Sequence, residues 1–305
     1  MAPLDAMARL RHDGLARSPG YPGGSTALGF HRDVLTRAVE SGGWAVVEDD
    51  GLLGCVATTV ELDLQTGRPY DHLIVARQDR DWHRLQPLVD AALARLGADV
   101  RAIVPPWDQP LRAHLESRGL ALVSVTLAGR VAVARAALGE VATPEDLEIR
   151  PIQAEDVPAA VALFREVFSA EPQYCAFGAD PHFLSALARR LADPALPACR
   201  LVVSHAGALR GLASAWYNDE DHHHGRSAGL DLVLHATLRG RRLTRAMYRP
   251  LLDAMAARGC GWLKGTTAQP AVWSLGARLG RHVTGLNLRA GPGFPPGWFD
   301  TALRP

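Results

Sequence analysis

The sequence predicts an α/β fold built twice, and three observations carry that reading. Residues 86–91, QPLVDA, answer residues 249–254, RPLLDA. Upstream of each lies an apolar run, a turn and a second apolar run: WAVVEDDGLLGCVATTV over 44–60 and RLVVSHAGALRGLASAW over 200–216. There Val46 and Val47 match Val202 and Val203, Gly51 matches Gly207, and Gly54 matches Gly211 after a one-residue gap. Downstream, Arg118-Gly119 and Leu279-Gly280 each close a short helical pattern, 32 and 30 residues after the shared prolines Pro87 and Pro250. Ordered landmarks at matched spacing mark a duplicated unit.

The second copy reads in order. Leu147–Ile152 alternates as a short strand, and Glu155–Phe168 has apolar residues at helical spacing with Asp156 and Pro158 near its start. Phe183–Leu191 is a further helix, 200–217 a hairpin, and Leu230–His235 a strand of alternating leucines. A long helix follows from about Arg242 to Arg258, then a strand at Trp262–Thr266, a short helix at Val272–Leu279 and a last strand at His282–Leu288. The order is β-α-α-β-β-β-α-β-α-β. The first copy gives the same order without its opening strand, and Leu4–Ala16 reads as helix. Thr143–Asp146, with Pro144, is the linker, so the predicted domains are 1–142 and 143–305. The closing AGPGFPPGWFDTALRP is a Gly/Pro-rich tail.

Composition narrows the function. A chain of 305 residues, at roughly 100–200 per domain, suits two domains. Its 33 basic and 32 acidic residues leave a net charge of +1, which removes a whole-protein argument for binding nucleic acid or a membrane surface. The four cysteines, Cys55, Cys175, Cys199 and Cys260, lie too far apart for a zinc knuckle or a redox pair and read as reduced and mostly buried. With no apolar leader and no apolar run near about 18 residues, the expectation is a soluble cytoplasmic protein.

A basic, glycine-containing loop joins the fourth strand of the second copy to its long helix: Leu234-His235-Ala236-Thr237-Leu238-Arg239-Gly240-Arg241-Arg242-Leu243-Thr244. This loop and the element order resemble the GNAT superfamily of acyl-CoA-dependent N-acyltransferases. The duplication resembles its tandem members, the mycothiol synthase-like proteins. Helix-start N–H groups and glycines that let a backbone close in suit a pyrophosphate. Arg239, Gly240 and Leu243 fit the family's loop, whereas Arg242 and Thr244 stand where it has small residues. Arg239, Arg241, Arg242, Arg245 and Arg249 lie within eleven residues that hold no acid. The matching stretch of the first copy, Val75–Arg84, has no glycine and carries Asp79 and Asp81. Its span to the shared proline is 12 residues, against 16 in the second copy. The first copy is therefore expected to be non-catalytic.

The resemblance implies a tandem, mixed-sheet α/β fold and direct acyl transfer, with acetyl-CoA (or another acyl-CoA) as co-substrate and a small-molecule amine as acceptor. It assigns cofactor binding to Val233, Leu234, His235, Ala236, Arg239, Gly240, Arg241, Arg242, Leu243 and Thr244, with Gln269 near the family's asparagine. The oxyanion donor would be a main-chain N–H near Leu234. Asp231 and His235 share a strand face and are the candidate bases. The family's acid, a tyrosine in the short helix, is missing: Gly276 stands there, and Leu115 in the first copy. Ser274 and Tyr248 are the nearest hydroxyls, and Trp273 reads as core. The run His222-His223-His224, beside Asp219, Glu220 and Asp221, is assigned to the acceptor pocket together with Trp216, since adjacent residues rarely converge on one metal. No metal, no nucleic acid and no membrane partner is expected, and the state is monomer or homodimer. The other readings are a non-catalytic acyl-CoA-binding scaffold or sensor, and an acyl-thioester decarboxylase on the same fold.

Overall fold

A computed structural model describes residues 2–23, 26–48, 52–63, 68–78, 82–170, 178–239 and 243–290. The first copy runs α1 (Ala2–Ala16), α2 (Ala27–Glu40), β1 (Trp44–Glu48), β2 (Leu52–Leu62), β3 (Pro69–Arg77), α3 (Trp82–Leu93), β4 (Val100–Val104), α4 (Gln109–Ser117) and β5 (Leu120–Arg130). A helix absent from the sequence reading, α5 (Val131–Leu138), leads into the second copy. That copy runs β6 (Leu147–Pro151), α6 (Val157–Ser169), α7 (Pro181–Ala192), β7 (Ala198–His205), β8 (Ala208–Asp221), β9 (Gly225–Leu234), α8 (Leu243–Ala257), β10 (Trp262–Thr267), α9 (Pro270–Arg278) and β11 (His282–Ala290). The order is the one read from the sequence, with the opening strand present only in the second copy. β9 starts at Gly225 rather than Leu230, because pairing with β8 extends it back through Gly225–Gly229, which lack the alternating leucines.

The landmarks of the repeat keep their places. Val47 pairs with Gly54 and Val203 with Gly211, so both hairpins share one register. Gly119 and Gly280, with φ of 89° and 70°, stop α4 and α9 in the left-handed conformation that glycine adopts freely. Between β7 and β8, Ala206 and Gly207 have φ of 50° and 75°, the two left-handed residues of a tight hairpin turn.

The described strands form one eleven-stranded sheet in the order β1-β2-β3-β4-β11-β5-β10-β9-β8-β7-β6. The copies exchange their last strands. β11 pairs antiparallel with β4 of the first copy, β5 pairs antiparallel with β10 of the second, and β5 and β11 pair with each other at the centre. In each copy a parallel pair then runs out. β3 leaves β4 after Leu73↔Ala102, and β9 leaves β10 after Gly229↔Lys264. Beyond that point Leu230–Leu234 are held by β8 alone.

One face of the sheet carries α1 and α2 over the first copy and α6 and α7 over the second. The other carries α3 and α4 over the first copy and α5 and α8 over the second, with α9 contributing Trp273 to one cluster and Leu275 to the other. Trp273 is core, as read. Among the described residues no helix is long and apolar enough to cross a membrane. Cys55 and Cys260 are buried free thiols and Cys199 a half-buried one, while Cys175 lies outside the described residues.

Candidate active site

A cavity of about 900 Å³ passes through the opening between β9 and β10 and continues across the central strands into the first copy. Asp231, two residues past the last β9–β10 pair, lines it on the α6/α7 face. Trp216 Nε1 donates to Asp231 Oδ2 at 2.5 Å. Burial pushes the Asp231 carboxyl above the ordinary range, and the Trp216 bond and the nearby Arg190 charge offset part of this. Among the described residues Asp231 has no salt-bridge partner. It is therefore a carboxylate with raised proton affinity facing an open cavity. Trp216 lines the same space, with the Arg190 guanidinium 4.2 Å over its ring.

His235 does not join Asp231. β9 ends at Leu234, and the His235 ring turns to cap the short 3₁₀ turn Ala236–Leu238, with Nδ1 2.7 Å from Thr237 Oγ1 and Nε2 2.9 Å from Glu166 on α6. Strand periodicity put both side chains on one face, but the strand stops before the second is reached. Ala236 is exposed and, like His235, stands outside the lining.

Val233 lines the cavity from the α6/α7 side, and Leu234, Arg239, Leu243, Thr244 and Gln269 also line it, with Leu234 and Leu243 in the α8 cluster. Gly240, Arg241 and Arg242 lie outside the described residues. Two arginines of the basic cluster have structural work. Arg245 and Arg249 donate to the carbonyls of Leu138 and Gly139 at the C-terminal end of α5, at 2.8 and 2.7 Å, and Arg249 also pairs with Asp253. Cations at a helix C-terminus are favourably placed, and α5, missed in the sequence, accounts for them.

Ser274 is exposed on α9 and does not reach the cavity; Tyr248, buried on α8, does. The sequence offered no signal for the group beside it. Arg281 is 3% exposed, lines the cavity, and makes only long bonds: to Tyr248 Oη at 3.4 Å and to the carbonyls of Leu127 and Gly265 at 3.2 and 3.5 Å. Its Nε has no partner. Burial lowers its pKa, and no carboxylate pairs with it among the described residues. A Cβ at Gly276 would lie 3.2 Å from the Leu127 side chain and 3.6 Å from the Arg281 stem, so a side chain there would press on Leu127.

The first copy's opening is shut. In the shared register Arg77 stands opposite Gly54 as Leu234 stands opposite Gly211, so Ile74 occupies the place of Asp231. Arg77 and Asp108 form a bidentate pair whose shortest bond is 2.6 Å, with side chains 4% and 3% exposed. The pair bridges the end of β3 to the N-cap of α4, and the Arg77 guanidinium sits 5.5 and 5.8 Å from the Trp82 and Trp107 rings. On the other face, Met7 and Ala8 of α1 cover Ile74 and Ala76.

The histidine run is not part of the cavity lining. It forms the β8–β9 turn, which reaches across to α1 and α2. Phe30 stacks on His222 at 4.9 Å, Tyr21 Oη lies 2.9 Å from both His31 Nε2 and His223 Nδ1, and His224 Nε2 contacts the Gly20 carbonyl at 3.1 Å. Asp221 anchors the turn through the His223 and His224 amides and Lys264, the chain's only lysine. The opposite hairpin answers this contact, since Arg68 pairs with Asp180 at the start of α7. The run therefore joins the copies instead of shaping the acceptor pocket. Among the described residues no three metal-ligating side chains converge.

This contact carries a pH signature. Burial lowers the pKa of His223 to about 4 and of His31 to about 2. Both stay neutral in the fold, while in the unfolded chain each takes a proton below about pH 6.5. Stability is complete above that pH and falls as pH drops from there toward 4. Urea unfolding at pH 7 and pH 5 should show His223→Gln taking up about one proton fewer than wild type on unfolding at pH 5. Identical pH slopes would show that His223 is already protonated in the fold.

No protein-family model matches the sequence, and no curated protein matches it. Solved structures do. A GCN5-related N-acetyltransferase from Sphaerobacter thermophilus aligns over 83% of this chain and 82% of its own, with a TM-score of 0.50 at 15% identity. The fold is that of a GCN5-related N-acetyltransferase. A tandem GNAT protein from the clavulanic acid biosynthesis pathway aligns over 82% of this chain and 84% of its own, at 18% identity and a TM-score of 0.44. A GNAT-family acetyltransferase from Colwellia psychrerythraea covers 94% and 96%, at 13% identity and a TM-score of 0.49. The GNAT element order occurs twice in this chain, and it is in the second copy that the opening between the parallel strands leads into a cavity.

Proposed function

We propose that the chain is an acyl-CoA-dependent N-acyltransferase, with acetyl-CoA as donor and a small-molecule amine as acceptor. Residues 143–305 hold the chemistry and residues 1–142 form a closed, supporting copy. The observation that carries this is Asp231, a half-buried carboxylate with no salt-bridge partner among the described residues, at the point where β9 parts from β10 beside the cavity.

The residues fit a coenzyme A thioester. The β10-facing edge of β9 has no strand partner over Leu230–Leu234, leaving main-chain groups for the amides of the pantetheine arm. Arg239 and the start of α8 lie where the pyrophosphate would reach. The thioester supplies an activated acyl group. Asp231 accepts the proton that the amine gives up as the C–N bond forms. The C–S bond breaks and its electron pair leaves on sulfur. Tyr248, a cavity hydroxyl 3.4 Å from Arg281, returns a proton there, and the charge of Arg281, which has no carboxylate partner among the described residues, favours the thiolate as it develops. The free thiols suit a reducing cytoplasm.

Release of free coenzyme A thiol from acetyl-CoA, measured across a panel of small amines, tests the reaction. Amine-dependent release supports it; binding of acetyl-CoA without turnover of any amine would indicate a sensor. Carbon dioxide release from malonyl-CoA would indicate a decarboxylase. Arg239→Glu should abolish most of the thermal shift that acetyl-CoA gives the wild type, and an undiminished shift would remove Arg239 from the binding site.

A further inference from the structure

On the α6/α7 face of the cavity one cation, Arg190, has no hydrogen bond or salt bridge among the described residues, and its charge is felt through space by Asp231. Arg101 is taken by Asp63 and Asp99, Lys264 by Asp221, and Arg289 is also engaged. Arg190 stands on α7. Its guanidinium lies over the Trp216 indole, 4.2 Å from the ring centroid, and the side chain lines the cavity. The same indole holds Asp231 through Nε1 at 2.5 Å. A guanidinium and a carboxylate are thus held on a single indole, one over its face and the other at its Nε1 edge. Beside them, Phe164, Phe168 and Phe183 give the cavity an apolar wall, with Phe168 and Phe183 stacked at 6.0 Å.

A ligand that satisfies both charges carries a positive group and a negative group a few bonds apart, on an apolar body. We propose that the acceptor is an amino acid with an aromatic or large aliphatic side chain: Arg190 binds its carboxylate, Asp231 receives the proton of its amine, and its side chain lies on the Phe164–Phe168–Phe183 wall. This rests on the reading of Asp231 as the base of an N-acyltransferase. The arginine's planar fork matches a carboxylate with two parallel bonds, and stacking on Trp216 holds that fork in place before the ligand arrives. The first copy has no such pair, since Ile74 replaces Asp231 and Thr59 stands at the register position of Trp216.

The test uses matched pairs that differ only in the carboxylate: phenylalanine against phenethylamine, tryptophan against tryptamine, and leucine against isoamylamine. Wild type should favour the amino acid in kcat/KM by on the order of 10–100-fold, the worth of a charge-assisted hydrogen bond. Arg190→Gln should collapse that ratio toward one, and Arg190→Lys should restore part of it. Equal use of both members by the wild type, preference for the neutral amine, or a preference that survives in Arg190→Gln would overturn the proposal. Calorimetric titration of N-acetylphenylalanine and N-acetylphenethylamine into the same proteins reads the site without turnover. If no amine is acylated, the transferase reading fails. Tighter binding of the acid, lost in Arg190→Gln, then still supports the carboxylate site, and equal binding overturns it.

Discussion

Asp231→Asn lowers kcat by about 10²–10⁴-fold, the usual contribution of a positioned general base, and changes the KM for acetyl-CoA little. The fold should tolerate the change. Asparagine keeps the shape, and its carbonyl can still accept from Trp216 Nε1. Its effect on stability has a definite sign. Because burial raises the Asp231 pKa, the native state holds this proton at a pH where the unfolded chain has lost it, so stability falls as pH rises through that window. An amide does not ionise, so the variant should be as stable as wild type at neutral pH, or more so. A large loss of rate with no loss of stability separates catalysis from misfolding. On one amine, the wild-type rate should rise with pH as Asp231 gives up its proton, and the variant should lack that rise. Wild-type kcat in Asp231→Asn would make the residue structural.

The second large effect lies in the closed copy. Arg77→Met or Asp108→Leu alone should cost about 3–5 kcal/mol in urea unfolding, because each leaves the other charge buried without its partner. Replacing both together should recover much of the loss, since a buried ion pair gains little over a well-fitted apolar one. Single variants that cost under about 1 kcal/mol would show the pair to be hydrated, and the first opening not sealed. The contrast between copies is physical. Both have the parallel strands that part after three residues, but Arg77 stands where the second copy has Leu234 and brings its own counter-ion across the gap.

Much of this was legible in the chain. The landmarks around Gly54 and Gly211 fell in matching registers, and strand and helix periodicity gave the second copy's element order. Asp231 stood out as an acid among alternating leucines. The decay of the first copy showed in its missing loop glycines, though the plug that closes it did not, because Arg77 and Asp108 are 31 residues apart and meet only in the fold. The exchange of β5 and β11 was equally invisible, since a strand's periodicity does not name its neighbour. The histidine run misled for a related reason: a polar turn looks the same whether it lines a pocket or docks on another helix pair. The helix α5 was hidden because β5 passes into it directly at Arg130, the last strand residue and the helix N-cap, with no turn or loop between them. Arg190 and Arg281 carried no motif, and their role depends on what the fold withholds from them.

Where acetyl-CoA binds is the most direct test of the central claim, that the second copy alone works on the thioester. A crystal structure with the coenzyme should place its pantetheine arm along Leu230–Leu234 between β9 and β10, with the thioester next to Asp231 and the Arg77–Asp108 pair intact. Coenzyme lodged between β3 and β4, with that pair broken, would contradict it.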